Sequence, residues 1–202
     1  MPLNLSNPSD GGGGKFLDKL RFNAQGGVFY TGTKENEKRF SSGFTAVFDM
    51  AGMETGWSRY NGRYKEFRAD PNVEEKSAKP EITDGDAENK WKRGFRVAVY
   101  SGEAFGGTVE FMHDAITVCQ QFSALYDAYE KYIKDIDEPN ALLPVVKVEG
   151  DPIKAGEYYA PIWSIKKFVN RPDAMQPLPQ EDSKPAAPAP AAGEDVPTDD
   201  EF

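Results

Sequence analysis

The composition of the chain changes abruptly near Arg171, and this change limits the part of the sequence that can form a packed domain. From residue 173 onward the sequence is rich in proline and alanine and then acidic, with one lysine against eight acidic residues. Such a segment has too few apolar side chains to offset the entropy lost on folding. We therefore expect residues 173–202 to be a disordered linker with an acidic tip. Four consecutive glycines near the start predict a flexible leader over residues 1–14.

The remaining residues, 15–172, have the pattern of a domain built mainly from β-strands. Strand-forming residues dominate in LRFNAQGGVFYTGT, FTAVFDMAGMETGWSRYNGRY and WKRGFRVAVY, and the third segment alternates regularly. We predict a bend at Gly26-Gly27 and a long, bent strand or hairpin over residues 44–64. Further strands are expected at 143–150 and 157–169. The many charges and two prolines of residues 70–90 predict a mobile acidic loop.

One long helix is predicted from Thr108 to about Ile136. Threonine is a common residue at helix N-caps, and apolar residues then recur at steps of three or four. They are Val109, Met112, Ile116, Cys119, Phe122, Tyr126, Tyr129 and Ile133. Five extended segments with a helix between the third and the fourth is the element order of an OB-fold barrel. The expected fold class is mainly β with one long helix, an OB-fold-like five-stranded β-barrel followed by a disordered acidic C-terminal tail.

Several classes of protein are disfavoured by what the sequence lacks. It has no run of 18 apolar residues, so no transmembrane helix is expected, and no secretory signal is recognisable. One cysteine, Cys119, argues against a disulfide scaffold, and one histidine, His113, leaves too few soft ligands for a zinc site. We expect a cytoplasmic, non-enzymatic protein without a cofactor or metal. The oligomeric state is open, and a homo-oligomer is compatible with the sequence.

The net charge of −9 hides a segregation of charge along the chain. Residues 1–69 hold ten basic and seven acidic side chains, whereas residues 103–138 hold two basic and eight acidic ones. The acidic excess lies in the 70–90 loop, the helix and the tail, and the strand-forming segments are net positive. An acidic protein of this kind is compatible with a nucleic-acid partner, because only the binding surface needs positive charge.

Aromatic and cationic residues are interleaved in GWSRYNGRYKEFR, residues 56–68. Binding of single-stranded DNA without sequence preference requires cations for the phosphates and aromatic faces for the bases. The same mixture recurs around Trp91 and Trp163. The candidate DNA-binding residues are Trp57, Arg59, Tyr60, Arg63, Tyr64, Lys65, Arg68, Lys92, Arg93, Arg96, Trp163, Lys166 and Lys167. The alternative is structural: the aromatic side chains fill the core, and the cations form a solvated face.

The last four residues are Asp199, Asp200, Glu201 and Phe202. Carboxylates suit a basic groove, and a terminal aromatic side chain suits an apolar pocket beside a cation. In its flexible linker and acidic tip with a final phenylalanine, the chain resembles the single-stranded DNA-binding proteins of bacteria and tailed phages. In composition it is closer to the phage type, and it has Glu201 where the bacterial housekeeping protein has proline. The resemblance implies an OB-fold core and a tip that recruits replication, recombination and repair proteins.

The sequence therefore predicts a phage-encoded protein of the host-cell cytoplasm that coats and protects single-stranded DNA. Its expected partners are single-stranded DNA and, through the tip, replication and recombination proteins, with no membrane partner. One alternative is a phage structural or interaction module whose acidic tail binds a basic partner and whose core never meets DNA. The other is a metal-dependent nuclease built from scattered carboxylates such as Asp84 and Asp86, which have no further ligands near them in sequence.

Overall fold

The computed structural model describes residues 17–33, 35–60, 65–82, 90–134, 136 and 142–178. The strands are β1 (Asp18–Asn23), β2 (Val28–Thr31), β3 (Lys38–Arg39), β4 (Gly43–Phe48), β5 (Glu54–Tyr60), β6 (Lys65–Ala69), β7 (Lys92–Ser101), β8 (Gly107–His113), β9 (Leu142–Glu149), β10 (Ile153–Ala155), β11 (Tyr158–Ala160) and β12 (Trp163–Asn170). One helix, α1 (Ile116–Ile133), lies between β8 and β9. The protein is therefore mainly β with one helix, as the sequence predicts. Within these ranges, no helix is long and apolar enough to cross a membrane.

Ten of the strands form one curled, open sheet, which is a half-barrel. Its order is β12-β9-β4-β7-β8-β1-β2-β3; β5 also pairs with β7, and β6 pairs with β5. Neighbouring strands are antiparallel except β1 and β8, which are parallel. The prediction of five strands is wrong. Turns divide two predicted segments into β1 and β2 and into β4 and β5, and β3, β6 and β8 lie outside the predicted strands. The turn that includes Gly27 separates β1 from β2, as the Gly-Gly bend predicts, and Pro161 lies between β11 and β12.

One face of the sheet packs against α1 and forms the main core. The buried residues of the helix are Val118, Phe122, Leu125 and Tyr129. Phe122 stacks on Phe95 of β7 with ring centroids 3.8 Å apart and ring planes 10° from parallel. Each fully buried apolar side chain of this kind contributes about 1.5–3 kcal/mol. The helix thereby closes the apolar face that an open sheet would otherwise expose to water.

The helix begins at Ile116 and not, as predicted, at Thr108. Thr108 lies in β8, which pairs with β7 and buries Val109 and Phe111. Residues 109 and 111 alternate with the period of a strand, and pairing with β7 stabilises that conformation over a helical one. The predicted apolar stripe is confirmed at Phe122, whereas Ile116 is exposed.

A long strand or hairpin is predicted over residues 44–64, and its described part, residues 44–60, holds two strands, β4 and β5, that do not pair with each other. Both lie along β7, with β5 against its first half and β4 against its second half. Asp49 lies in the connection between them, where its carboxylate accepts a hydrogen bond from the Gly52 backbone N–H at 3.0 Å. β5 pairs instead with β6. The resulting ribbon of β5, β6 and β7 carries most of the candidate site.

The packed part of the chain extends beyond the boundary predicted at residue 172. Met175 and Leu178 are buried with Ala98 of β7, on the opposite face of the sheet from the helix. Arg171 donates hydrogen bonds of 2.7 and 2.5 Å to the buried carboxylate of Asp49. The domain therefore includes at least residues 173–178, although their composition predicts that they belong to the tail. Residues 1–14 and 179–202 lie outside the described residues.

Candidate functional site

The ribbon of β5, β6 and β7 brings together several of the predicted DNA-binding residues. Trp57 lies opposite Arg68 of β6 and opposite Arg93 of β7. Residues directly opposite each other in antiparallel strands point to the same side of the sheet. Trp91, just before β7, is contacted on this side by the guanidinium groups of Arg59 and Arg68. We call Trp57, Arg59, Arg68, Trp91 and Arg93 the arginine–tryptophan face.

Trp57 is almost completely covered within this face, with 9% of its surface exposed. Its indole N–H donates a hydrogen bond of 3.1 Å to the backbone carbonyl of Ser77. The Lys76 ammonium lies 5.6 Å from the ring centroid, and the Arg93 guanidinium lies 5.1 Å from it. Cations placed over an aromatic ring in this way contribute about 0.5–2 kcal/mol. In this conformation the ring is packed beneath the segment that follows β6 and does not present an open stacking surface.

Trp91 is also buried, and its ring is contacted by two arginines that share one carboxylate. The guanidinium carbons of Arg59 and Arg68 lie 5.1 and 4.7 Å from the ring centroid. The Glu66 carboxylate accepts hydrogen bonds of 3.1 and 3.2 Å from Arg68 and lies 3.6 Å from Arg59. The side chain of Arg59 is buried, whereas that of Arg68 is 54% exposed. Arg68 is therefore the arginine of this pair that a ligand can reach.

Asp70 fixes the end of the ribbon by accepting hydrogen bonds from three residues. Arg93 binds both carboxylate oxygens, with one contact at 2.9 Å. Thr55 donates from its hydroxyl at 2.7 Å, and Ser77 donates from its backbone N–H at 2.9 Å and from its hydroxyl at 2.6 Å. Burial alone would raise the pKa of Asp70, but the hydrogen bonds from Arg93, Ser77 and Thr55 hold that pKa well below its ordinary value. Asp70 thus stays ionised and neutralises Arg93.

Three other predicted residues lie on the opposite side of the ribbon. Lys65 donates a hydrogen bond of 2.8 Å to Asp114. Arg96 is buried and binds Glu54 at 2.5 Å. Lys92 is exposed and has no ion-pair partner among the described residues. The structure therefore does not bring Lys65, Lys92 or Arg96 onto the arginine–tryptophan face.

One predicted aromatic residue, Tyr60, lies at the far end of the ribbon, where β5 ends. Tyr60 is the last residue of β5, and 51% of its surface is exposed. Arg63 and Tyr64 lie outside the described residues, as do the predicted tip residues Asp199, Asp200, Glu201 and Phe202. Tyr60 is thus the one predicted aromatic side chain of the described ribbon that is half exposed.

The predicted residues of β12 are separated from the ribbon, because β9 and β4 lie between β12 and β7. Trp163 packs in the core, with its ring centroid 5.9 Å from those of Phe111 and Phe122. Lys166 and Lys167 are exposed on β12. The placement of Trp163 agrees with the alternative in which the aromatic side chains fill the core. The two lysines form a cationic patch that is separate from the ribbon.

Four residues of the site region were not predicted from the sequence: Glu66, Asp70, Lys76 and Ser77. Glu66 alternates with Arg68 on β6, so the strand period places both on one side. Asp70, Lys76 and Ser77 lie in a charged segment without periodicity, which suggests only a loop. The signal that could identify Asp70 is its position directly after β6, from where its carboxylate reaches Arg93 of β7 across β5.

The arginine–tryptophan face offers positive charge beside aromatic rings. In the part of the chain that the structure describes, no group of three or more histidine, cysteine, aspartate or glutamate side chains is arranged to hold a metal ion. Comparisons of the chain with protein-family models, with curated protein sequences and with solved structures find no match.

Proposed function

We propose that this protein binds single-stranded DNA without sequence preference. The observation that supports this function is the arginine–tryptophan face. Together with Lys76 it places four cations next to two tryptophan rings, against the two carboxylates of Glu66 and Asp70. These six charged side chains together carry a net positive charge, although the net charge of the whole chain is −9. Local positive charge is what a phosphate backbone recognises, independently of base sequence.

In the proposed complex, phosphates bind at the exposed edge of the face. Arg68 is half exposed, and its partner Glu66 also remains accessible to water, so a phosphate can replace that carboxylate. Lys92 and Tyr60 are exposed on the opposite side of the ribbon, where a cation and an aromatic ring meet only a part of the DNA strand that passes around its edge. A base stacked on an aromatic side chain contributes about 1–3 kcal/mol. A few such contacts give useful affinity without reading the sequence.

The biological role that we propose is to coat and protect single-stranded DNA during phage DNA replication and recombination in the host-cell cytoplasm. The acidic tip, Asp199 to Phe202, recruits replication and recombination proteins in this proposal. Its support is the resemblance of the linker and tip to those of single-stranded DNA-binding proteins. We also propose that the half-barrel is an enlarged relative of the OB fold, supported by its curled, partly open sheet with one packed helix.

A second function is favoured by the same geometry. Arg59, Arg93 and Arg96 each lie beside a carboxylate, and Trp57 and Trp91 are buried. Such ion pairs and buried rings are also what a structural β-domain requires. In this alternative the chain is a phage interaction module whose core does not meet DNA. It predicts no oligonucleotide binding that depends on salt.

The test is a titration of the full chain with oligo-dT, monitored by tryptophan fluorescence and repeated at several salt concentrations. Arg68→Gln is compared with Arg39→Gln, because Arg39 is also an exposed arginine with one glutamate partner but lies on β3. Loss of one phosphate contact with a single strand lowers the slope of log K against log salt by about 0.7. We expect this decrease for Arg68→Gln alone. No binding by the wild type at low salt would overturn the proposal and favour the interaction module.

A further inference from the structure

A cavity of about 250 Å³ lies beside the arginine–tryptophan face, between β7, the first half of α1 and the segment after β6. Binding sites for drug-sized ligands usually measure about 300–1,000 Å³, so this one suits a single ring system. The residues that shape it are Phe95, Phe122, Tyr126, Cys119, Val73 and Arg93. Val73 and Ser123 are exposed lining residues and mark its mouth.

The interior of the cavity is apolar and aromatic. Phe95 and Phe122 are stacked on each other and form part of its wall. Burial raises the pKa of Tyr126 to about 12 and that of Cys119 to about 11, so both groups are uncharged at neutral pH. Arg93 is the charged residue among those that line the cavity, and Asp70 already neutralises it. The occupant that fits is therefore a flat, uncharged ring.

Charge outside the cavity determines where an attached anionic group can lie. Arg93 contacts both the cavity and the ring of Trp57, and Lys76 lies over that same ring. The surroundings of Tyr126 are acidic, because Glu130 and Glu74 act on this residue. An anion attached to the bound ring is thus favoured beside Arg93 and disfavoured beside Tyr126.

The geometry points to a nucleobase-binding pocket: one base of a bound single strand enters this cavity, and its phosphates lie along the arginine–tryptophan face. The inference rests on the proposed function and deepens it. It also accounts for how the protein can hold a base although the rings of Trp57 and Trp91 are covered. The ring that contacts the base is then Phe95, Phe122 or Tyr126, none of which is among the residues predicted from the sequence.

The first test blocks the mouth of the cavity. Ser123→Phe adds a bulky ring at an exposed lining position, and Gln120→Phe adds the same ring at an exposed position of α1 that does not line the cavity. Each full-length variant is titrated with oligo-dT of about 16 nucleotides, the upper end of single-strand site sizes, and with an abasic strand of equal length. We expect Ser123→Phe to lower affinity for oligo-dT about tenfold, the loss of one stacked base. Its affinity for the abasic strand and both affinities of Gln120→Phe stay as in the wild type.

The second test uses Cys119 as a reporter, because it is the one cysteine of the chain and lines the cavity. Its reaction with a disulfide reagent is followed in the wild-type protein. Oligo-dT slows the reaction, and the abasic strand does not. Unchanged affinity of Ser123→Phe for oligo-dT, an equal loss for both strands, or unprotected Cys119 would overturn the pocket while leaving the proposed function intact. Absence of any wild-type binding overturns the proposed function itself.

Discussion

Replacing Asp70 by asparagine tests whether this carboxylate holds the ribbon and the following segment together. The carboxylate accepts five hydrogen bonds, two from Arg93, one from Thr55 and two from Ser77. An asparagine side chain keeps one acceptor oxygen and turns the other position into a donor that faces donors. It also removes the counter-charge of Arg93. Asp70→Asn should therefore weaken both the ion pair and the attachment of Ser77.

The expected loss of stability follows from how deeply each partner is buried. Removing one partner of a buried ion pair costs about 3–5 kcal/mol, because the other charge is left without compensation. The Asp70 side chain is 1% exposed, but that of Arg93 is 33% exposed, so water can solvate part of the remaining guanidinium. This partial exposure places the cost at the lower end of that range. We expect the free energy of unfolding of Asp70→Asn to be lower by about 3 kcal/mol at neutral pH.

The assay is urea unfolding monitored by tryptophan fluorescence. The control is Asp127→Asn, at an exposed position of the helix, and its free energy of unfolding is expected to lie within about 0.5 kcal/mol of that of the wild type. The pKa of Asp70 is lowered in the folded protein, so its contribution is present above its ordinary value of 3.8 and lost as the pH falls further. The difference in free energy of unfolding between the wild type and Asp70→Asn should be constant at neutral and mildly acidic pH. It should decrease when the pH falls below 3.8. A difference below about 0.5 kcal/mol, or one that narrows already at mildly acidic pH, refutes the reasoning.

Two further predictions concern the His113 ring and the C-terminal boundary. The Nδ1 atom of His113 accepts the Ala115 backbone N–H at 3.1 Å, and burial lowers the pKa of the ring, so folding favours its neutral form. The melting temperature of the wild type should fall as the pH drops below the ordinary value of 6.5, and this fall should be smaller in His113→Gln. Truncation after residue 178 should leave the melting temperature unchanged. Truncation after residue 172 should lower stability by about 1.5–3 kcal/mol for each of Met175 and Leu178, and equal stability of the two truncations would contradict the boundary.

The sequence predicts local conformation well where one period dominates. Phe95, Val97 and Val99 alternate with smaller or polar residues, and all three lie buried in β7. Around Thr108 two periods coincide, since residues 109 and 112 fit a helix whereas 109 and 111 fit a strand. Pairing with β7 decides between them, and the apolar period of β8 alone does not reveal that pairing. The number of strands depends on such pairs, which explains why the sequence predicts five strands where the main sheet has ten.

The composition of the site was more predictable than its burial. The interleaved aromatic and cationic residues of β5 and β6 are visible in the sequence, but the cover of Trp57 is not. That cover depends on Ser77 and on Asp70, which belong to a segment whose charges and prolines suggest a mobile loop. Asp70 is buried because it meets Arg93, and that meeting depends on how β5 pairs with both β6 and β7. A local pattern contains no information about this convergence.

The two carboxylates of the arginine–tryptophan face differ in how easily a phosphate can replace them. Asp70 is buried with five hydrogen bonds, so displacing it from Arg93 costs several kcal/mol. Glu66 is 24% exposed and meets a half-exposed Arg68, and an exposed pair of this kind contributes at most about 1 kcal/mol. Exchange of a carboxylate for a phosphate is therefore far less costly at Arg68 than at Arg93. Binding of a strand should begin at Arg68, while the Asp70–Arg93 pair stays intact and keeps the wall of the neighbouring cavity in place.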